Sequence, residues 1–156
     1  MQIQKLKGVW TSENISLKPA TKRELFSFQK EQNVSFPKVL LQYFELLNGT
    51  NNQYDGRFFQ FYSLTQFKSI DEELKNWDGV PDYSGIVETL RDYKSYFVLA
   101  DYSFHMFSYA IRLNSLANKE NEVLVLCGRE YKKIASTFTE FIDLYLRESI
   151  KLQFDE

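Results

Sequence analysis

The sequence predicts an α+β fold in which N-terminal helices and a C-terminal amphipathic helix flank an antiparallel sheet. Helical patterns occupy residues 21–47, short apolar runs follow one another from residue 57 to residue 127, and the chain closes on a wide apolar helical stripe. The length of 156 residues suits a single domain, so residues 1–156 are predicted to form one unit.

Two helices are predicted before the sheet. Thr21 and Glu24 have the spacing of a capping box, in which each side chain satisfies a free backbone N–H, so a helix is expected over 21–32. Pro37 suits a helix start and Asn48–Gly49 suits a left-handed helix end. These signals predict a second, mostly buried helix over 37–47.

The strands are predicted from aromatic and aliphatic runs. Residues 57–62 are rich in aromatic side chains, and residues 96–100 and 123–127 are continuous apolar runs typical of central strands covered on both faces. Residues 104–113 are expected to form a longer strand whose odd positions share a face.

Helical spacing also appears between and after the strands. Phe67, Ile70, Leu74 and Trp77 recur at helical intervals, so a helix is expected over 64–76, followed by a loop with one short helical turn over 78–95. Ser136 or Thr137 is predicted to cap the last helix, with Glu140 in its first turn. Its apolar stripe consists of Phe138, Phe141, Ile142, Tyr145 and Leu146.

Composition excludes several classes of protein. With 44% hydrophobic and 17% aromatic residues the chain is not disordered, and no apolar run approaches the ~20 residues of a membrane span. The net charge of −2 lacks the basic excess of a general nucleic-acid binder. The opening residues have no apolar signal core and the single cysteine rules out an intrachain disulfide, so the cytoplasm is the expected compartment.

Few catalytic chemistries remain open. One histidine and one cysteine exclude HExxH zinc sites, histidine relays and CxxC ribbons, and the six glycines match neither the dinucleotide fingerprint nor the P-loop. His105 and Cys127 are the one nucleophile and base pair that the sequence offers. A buried cysteine at the end of an apolar strand and a histidine within the preceding strand are the simpler interpretation. No catalytic residue, metal site or cofactor is therefore predicted.

Residues 71–92, here called the acidic segment, carry seven acidic and two basic side chains. A concentrated negative surface attracts basic partners, and Trp and Tyr are enriched where interfaces bind most strongly. Tyr83, between Asp82 and Ser84, is expected to be accessible, whereas the spacing of Trp77 favours burial over exposure. The predicted partner-binding residues are Tyr54, Trp77, Asp78, Asp82, Tyr83, Glu88 and Asp92.

Taken in order, several short motifs resemble the SUKH superfamily, which includes the yeast regulators of cell-wall synthesis. The resemblance covers about residues 21–148 and departs from the pattern at 101–106, where many members have a glycine-rich turn. The motifs are Phe36–Pro37 before an apolar helix ending in Asn48–Gly49, a strand ending in Ala100–Asp101, and the runs 109–113, 123–126 and 134–141.

The resemblance implies a SUKH-like α+β domain without catalytic residues. Many bacterial members are immunity proteins that neutralise toxins of polymorphic or contact-dependent systems, and fungal members are regulatory interaction modules. We therefore expect an immunity protein that occludes a cognate toxin stoichiometrically, with a nuclease that has a basic active-site groove as the expected kind of toxin. A regulatory module with endogenous partners and no toxin is the alternative. The sequence does not indicate the oligomeric state.

Overall fold

The computed structural model describes residues 1–116 and 120–154. The helices are α1 (Gln2–Ser12), α2 (Lys22–Gln32), α3 (Lys38–Leu46), α4 (Ile70–Glu73), α5 (Ile86–Thr89) and α6 (Phe138–Leu146). The strands are β1 (Phe59–Phe61), β2 (Lys68–Ser69), β3 (Tyr96–Tyr102), β4 (Phe107–Arg112), β5 (Val123–Cys127) and β6 (Glu130–Ala135), with short 3-10 helices at Tyr93–Ser95 and Ile150–Leu152.

The strands form one antiparallel sheet in the order β1-β3-β4-β5-β6, and β2 also pairs with β3. This confirms the predicted α+β fold with an antiparallel sheet. The prediction of one domain over residues 1–156 extends beyond the described residues and stays a prediction.

The first face of the sheet carries the larger core. Alternate side chains of the central strands, such as Phe97, Tyr109 and Val125, join residues of α1, α2, α3 and α6 in a single buried cluster. Aromatic rings fill much of it, for example Phe61 at 5.0 Å from both Trp10 and Tyr145. The first face is therefore covered by helices, as the amphipathic patterns require.

The second face is covered by the acidic segment. Buried apolar side chains in and beside this segment pack on the strands and form a second core cluster. The carboxylates of the segment are exposed or partly exposed. The buried members from the covering layer are Ile70, Leu74, Tyr83, Ile86 and Leu90. The segment thus forms a structural layer of the fold.

The capping predictions are confirmed. Glu24 N–H donates to the Thr21 hydroxyl at 3.1 Å and Thr21 N–H donates to the Glu24 carboxylate at 3.0 Å, which completes the capping box of α2. Asn48 and Gly49 have φ values of 59° and 85°, as expected for a left-handed end to α3. Thr137 caps α6 by accepting a hydrogen bond from Glu140 N–H.

The helix expected over 64–76 is wrong. Lys68 and Ser69 pair with β3 as strand β2, and the Ser69 hydroxyl then caps the single turn of α4. Phe67 belongs to the core on the first face, whereas Ile70 and Leu74 belong to the core on the second face. The helical spacing arose because neighbouring apolar residues serve opposite faces of the sheet.

Three further differences concern one helix, one strand and the start of another strand. Helix α1 and strand β6 were not predicted, although Ile3, Leu6 and Trp10 recur at helical spacing and are buried. Strand β6 was missed because its first four residues are mostly exposed, as suits the last strand of a sheet. The strand expected over 104–113 begins only at Phe107, since residues 103–106 form a turn.

An irregularity in β3 directs one acidic side chain. The register with β4 shifts between Val98 and Ala100, so the alternation of faces changes along the strand. Leu99 and Ala100 both belong to the core on the first face. Asp101 is consequently turned toward the second face, where its carboxylate accepts a hydrogen bond from the Tyr62 hydroxyl.

Candidate functional site

The candidate site lies where β3 ends and β4 begins. Loop residues 54–58, the turn 103–106 and the loop 77–85 of the acidic segment meet there. Ser103 N–H donates to the Phe58 carbonyl at 2.8 Å, and the Tyr83 hydroxyl donates to the His105 carbonyl at 2.7 Å. We call this region the turn end of the sheet.

The predicted acidic residues are exposed. Asp78 and Asp82 lie in the loop before α5, and the Ser84 hydroxyl and backbone N–H both donate to Asp82, which lowers the pKa of that carboxyl. The Asp82 backbone lies beside Gly128 in the β5–β6 turn. Asp78 and Asp82 therefore contribute negative charge at the turn end.

The remaining two acidic residues are paired with arginines. Glu88 lies 3.4 Å from Arg129, which follows Gly128 in the β5–β6 turn. Asp92 lies 3.3 Å from Arg112, at the opposite end of β4 from the turn. The structure therefore brings Glu88 near the turn end and places Asp92 away from it.

Trp77 connects the acidic segment to the turn. Its indole N–H donates to the Pro81 carbonyl at 2.9 Å, and its ring lies 4.8 Å from His105 and 5.5 Å from Tyr83 in edge geometry. The side chain is half-buried, so its main contribution to the site is to hold the loop against the turn.

Tyr83 is fully buried, and the expectation that it is accessible is wrong. Its ring packs among the second-face core and its hydroxyl reaches the turn. Burial raises the pKa of Tyr83. Asp82 is exposed and Ser84 is partly exposed, because consecutive side chains of a loop can point in different directions. The polarity of these neighbours therefore does not indicate whether Tyr83 is exposed.

Tyr54 stands between the buried and exposed parts of the site. Its hydroxyl donates to Asp101 at 2.6 Å, and its ring lies 4.6 Å from that of Phe104. Burial, followed by the hydrogen bond to Asp101, raises the pKa of Tyr54. The residue is half-buried and lies at the turn end, and its role in partner binding stays a prediction.

Asp101 is the centre of the site, and the sequence did not single it out. The residue is fully buried, and its carboxylate accepts hydrogen bonds from the Tyr54 hydroxyl, the Tyr62 hydroxyl at 2.9 Å and His105 N–H at 3.1 Å. The Gln60 amide adds a longer bond of 3.4 Å. A buried carboxylate with several donors fixes the positions of the groups around it.

The turn from Ser103 to Met106 is conformationally unusual. Ser103, Phe104 and His105 have φ values of 49°, 55° and 68°, a left-handed conformation that costs non-glycine residues about 1–2 kcal/mol each. A glycine-rich turn would avoid this cost. The turn presents Phe104 and Met106 to solvent beside the exposed Phe58, and we call these three residues the apolar tip.

The sequence contained one signal for the apolar tip. Phe104 and Met106 flank a histidine where a hairpin turn would favour glycine or asparagine. The same segment also fits the pattern of a strand, which is why the sequence predicts a strand from residue 104. Exposed aromatic side chains on a strained turn are a more specific indication of binding than the carboxylates alone.

His105 and Cys127 do not form the arrangement of an activated thiol. His105 lies in the turn, not in a strand as expected, and its Nδ1 is 3.6 Å from Asp101. Burial, together with Glu130, raises the pKa of Cys127, whereas a nucleophilic cysteine needs a lowered pKa. Within residues 1–116 and 120–154, no group of three metal-ligating side chains is positioned to hold an ion.

A polar pocket of about 270 Å³ lies beside the Asp101 network. Burial raises the pKa of Glu73 at its wall. The pocket is lined by Gln60, Tyr62, Thr65, Gln66, Lys68, Glu73 and His105. Side chains of both charges share this lining, so the pocket does not select one class of ligand.

Comparisons with known proteins identify one family. The model described as the SMI1 / KNR4 family (SUKH-1) matches residues 19–144, which include all six strands and most of α6. Comparison with curated proteins finds no match. Among the helices of the described residues, none combines the length and apolarity needed to cross a membrane.

Proposed function

The chain belongs to the SMI1 / KNR4 family (SUKH-1), and from that premise we propose that it is a cytoplasmic immunity protein. Domains of this family are protein-binding modules, and toxin immunity proteins are among them. In this proposal the chain binds a cognate toxin of a polymorphic or contact-dependent system and blocks its active site stoichiometrically. The inhibitor itself contributes shape and charge and needs no catalytic group.

The observation that carries the proposal is the construction of the acidic segment. Its apolar residues form the core on the second face, so its outward carboxylates stand on a fixed layer rather than on a disordered tail. Asp78 and Asp82 are both exposed in the loop whose Trp77 packs on His105, in the turn that carries Phe104 and Met106 of the apolar tip. A rigid negative surface with apolar residues at its margin suits a basic protein groove.

The charge favours one class of toxin. Nuclease substrate grooves are lined with basic residues because they must bind phosphates. A negative surface speeds association with such a groove and can exclude the substrate by occupying the same track. Among toxins, a nuclease is therefore the kind whose active-site groove this surface fits best.

Coexpression tests the function. The chain is expressed together with the protein encoded immediately upstream of its gene, and growth is measured with and without induction. Rescue of growth by the chain supports the immunity role. Absence of rescue, with stable binding to an endogenous protein instead, would favour a regulatory module.

Charge reversal tests the surface. Asp78→Lys together with Asp82→Lys is expected to slow association with the toxin about tenfold at low salt, since steering depends on the field near the contact. Glu31→Lys is the control, because it changes the charge in the same direction at an exposed position of α2, on the other side of the sheet. Equal association rates for the charge-reversed and control proteins would remove the acidic segment from the interface.

A further inference from the structure

The turn between β3 and β4 holds a rare backbone conformation by many contacts. Three consecutive non-glycine residues, Ser103 to His105, are left-handed. His105 N–H donates to the buried Asp101 carboxylate, Ser103 N–H donates to the Phe58 carbonyl, and the His105 carbonyl accepts from Tyr83. Strained residues persist only where surrounding contacts determine them, and such strain concentrates at functional positions.

The side chain displayed by this turn is aromatic and exposed. Phe104 has 76% of its surface accessible; Met106 in the same turn and Phe58, whose carbonyl accepts from Ser103 N–H, are also exposed. The Phe104 ring lies 4.6 Å from the Tyr54 ring, whose hydroxyl is held by Asp101 at 2.6 Å. A ring whose position is already fixed loses little conformational freedom when it binds.

The surroundings indicate the chemistry of the partner. Trp77 joins His105 to the loop that carries the exposed Asp78 and Asp82. An apolar side chain flanked by carboxylates is complementary to an apolar pocket bordered by Lys or Arg side chains. Large aromatic side chains at the centre of an interface commonly supply most of its binding free energy.

We infer that Phe104 is the anchor of the interface and enters an apolar pocket, bordered by basic residues, on the partner protein. This inference rests on the proposed function and adds to it the residue that determines how long the complex lasts. The acidic segment then governs the rate of encounter, and the apolar tip governs the rate of dissociation.

Matched alanine variants test the anchor. The probe is the C-terminal domain of the protein encoded immediately upstream, carrying an inactivating active-site substitution, and dissociation is followed by surface plasmon resonance. Phe104→Ala is expected to raise the dissociation rate about 30-fold, as for a central interface residue. Phe26→Ala is the control, because Phe26 is 66% exposed on α2 on the other side of the sheet, and it is expected to change the rate less than about twofold.

Phe104→Gly separates binding from folding. Glycine adopts the left-handed conformation without steric cost, so this variant should unfold at a slightly higher urea concentration than the parent protein. It should nevertheless lose binding as Phe104→Ala does. Loss of binding together with a gain in stability is a result that a purely structural role for Phe104 cannot give.

The outcomes distinguish the two proposals. Slowed association in the Asp78→Lys, Asp82→Lys protein with unchanged dissociation in Phe104→Ala would overturn the anchor and leave the proposed function intact. A parent protein that neither rescues growth nor binds the probe would overturn both. Equal losses in Phe104→Ala and Phe26→Ala would also overturn the anchor.

Discussion

Removal of the Asp101 carboxylate is expected to destabilise the protein more than any change at the exposed carboxylates. In Asp101→Ala, the buried Tyr62 hydroxyl loses its acceptor, and the Tyr54 hydroxyl and His105 N–H lose theirs at part-buried positions. Each buried donor left unpaired costs about 1–3 kcal/mol, so the expected loss is about 3 kcal/mol of unfolding free energy.

Urea denaturation measures this loss. With a slope of about 2 kcal/mol per molar urea, 3 kcal/mol lowers the midpoint by about 1.5 M. Asp101→Asn is expected to lose roughly half as much, because its amide keeps one acceptor oxygen in the network. Asp78→Ala is the exposed control and should stay within about 0.5 kcal/mol of the parent protein.

The slope of the transition decides whether the comparison is valid. An unchanged slope for Asp101→Ala means that the difference in midpoint reports stability alone. A loss below about 1 kcal/mol at equal slope would refute the reasoning, because it would mean that burying the carboxylate costs as much as its hydrogen bonds return.

Two further changes are expected to reduce stability. Gly49→Ala should cost more than about 2 kcal/mol in the same urea assay, because φ is 85° and a Cβ would lie 2.7 Å from the Phe61 carbonyl oxygen; Gly8→Ala, with nothing within 4 Å, is the control and should not destabilise. Burial raises the pKa of Tyr43, Tyr62 and Tyr109, so the folded state keeps protons that the unfolded chain releases above about pH 10. The stabilisation that this gives is fully present below that pH, and above it the free energy of unfolding should fall by about 1.4 kcal/mol per pH unit for each of the three tyrosines. Tyrosinate absorbance that reaches the value for all ten tyrosines before the protein unfolds would contradict this.

Local signals in the sequence predicted much of the fold. The capping box at Thr21, the left-handed pair Asn48–Gly49 and the apolar run of β5 each depend on residues close together in the chain, and each was confirmed. Strand β2 and helix α4 were not predicted, because one apolar series supplies both cores and only the folded sheet reveals which residue faces which side.

The candidate site was predicted only in part. Composition located the acidic segment, and Asp78 and Asp82 are exposed as expected. Asp101 contacts Tyr54, a residue 47 positions earlier in the chain, through a register shift in β3 that no residue pattern announces. The apolar tip was not predicted for a related reason, since Phe104 is exposed because of the left-handed backbone of its turn, which no polar residue pattern indicates.

Among residues 1–116 and 120–154, no strand pairs with the outer edge of β6, which bears on how the protein behaves at high concentration. A strand edge with unpaired backbone groups can pair with another copy of the same chain and so build extended aggregates. A second molecule adding antiparallel to β6 in the register that places Lys132 opposite Lys133 would bring both lysines of one copy against those of the other, with like charges opposed. The lysines thus disfavour self-association at this edge without changing the turn end of the sheet.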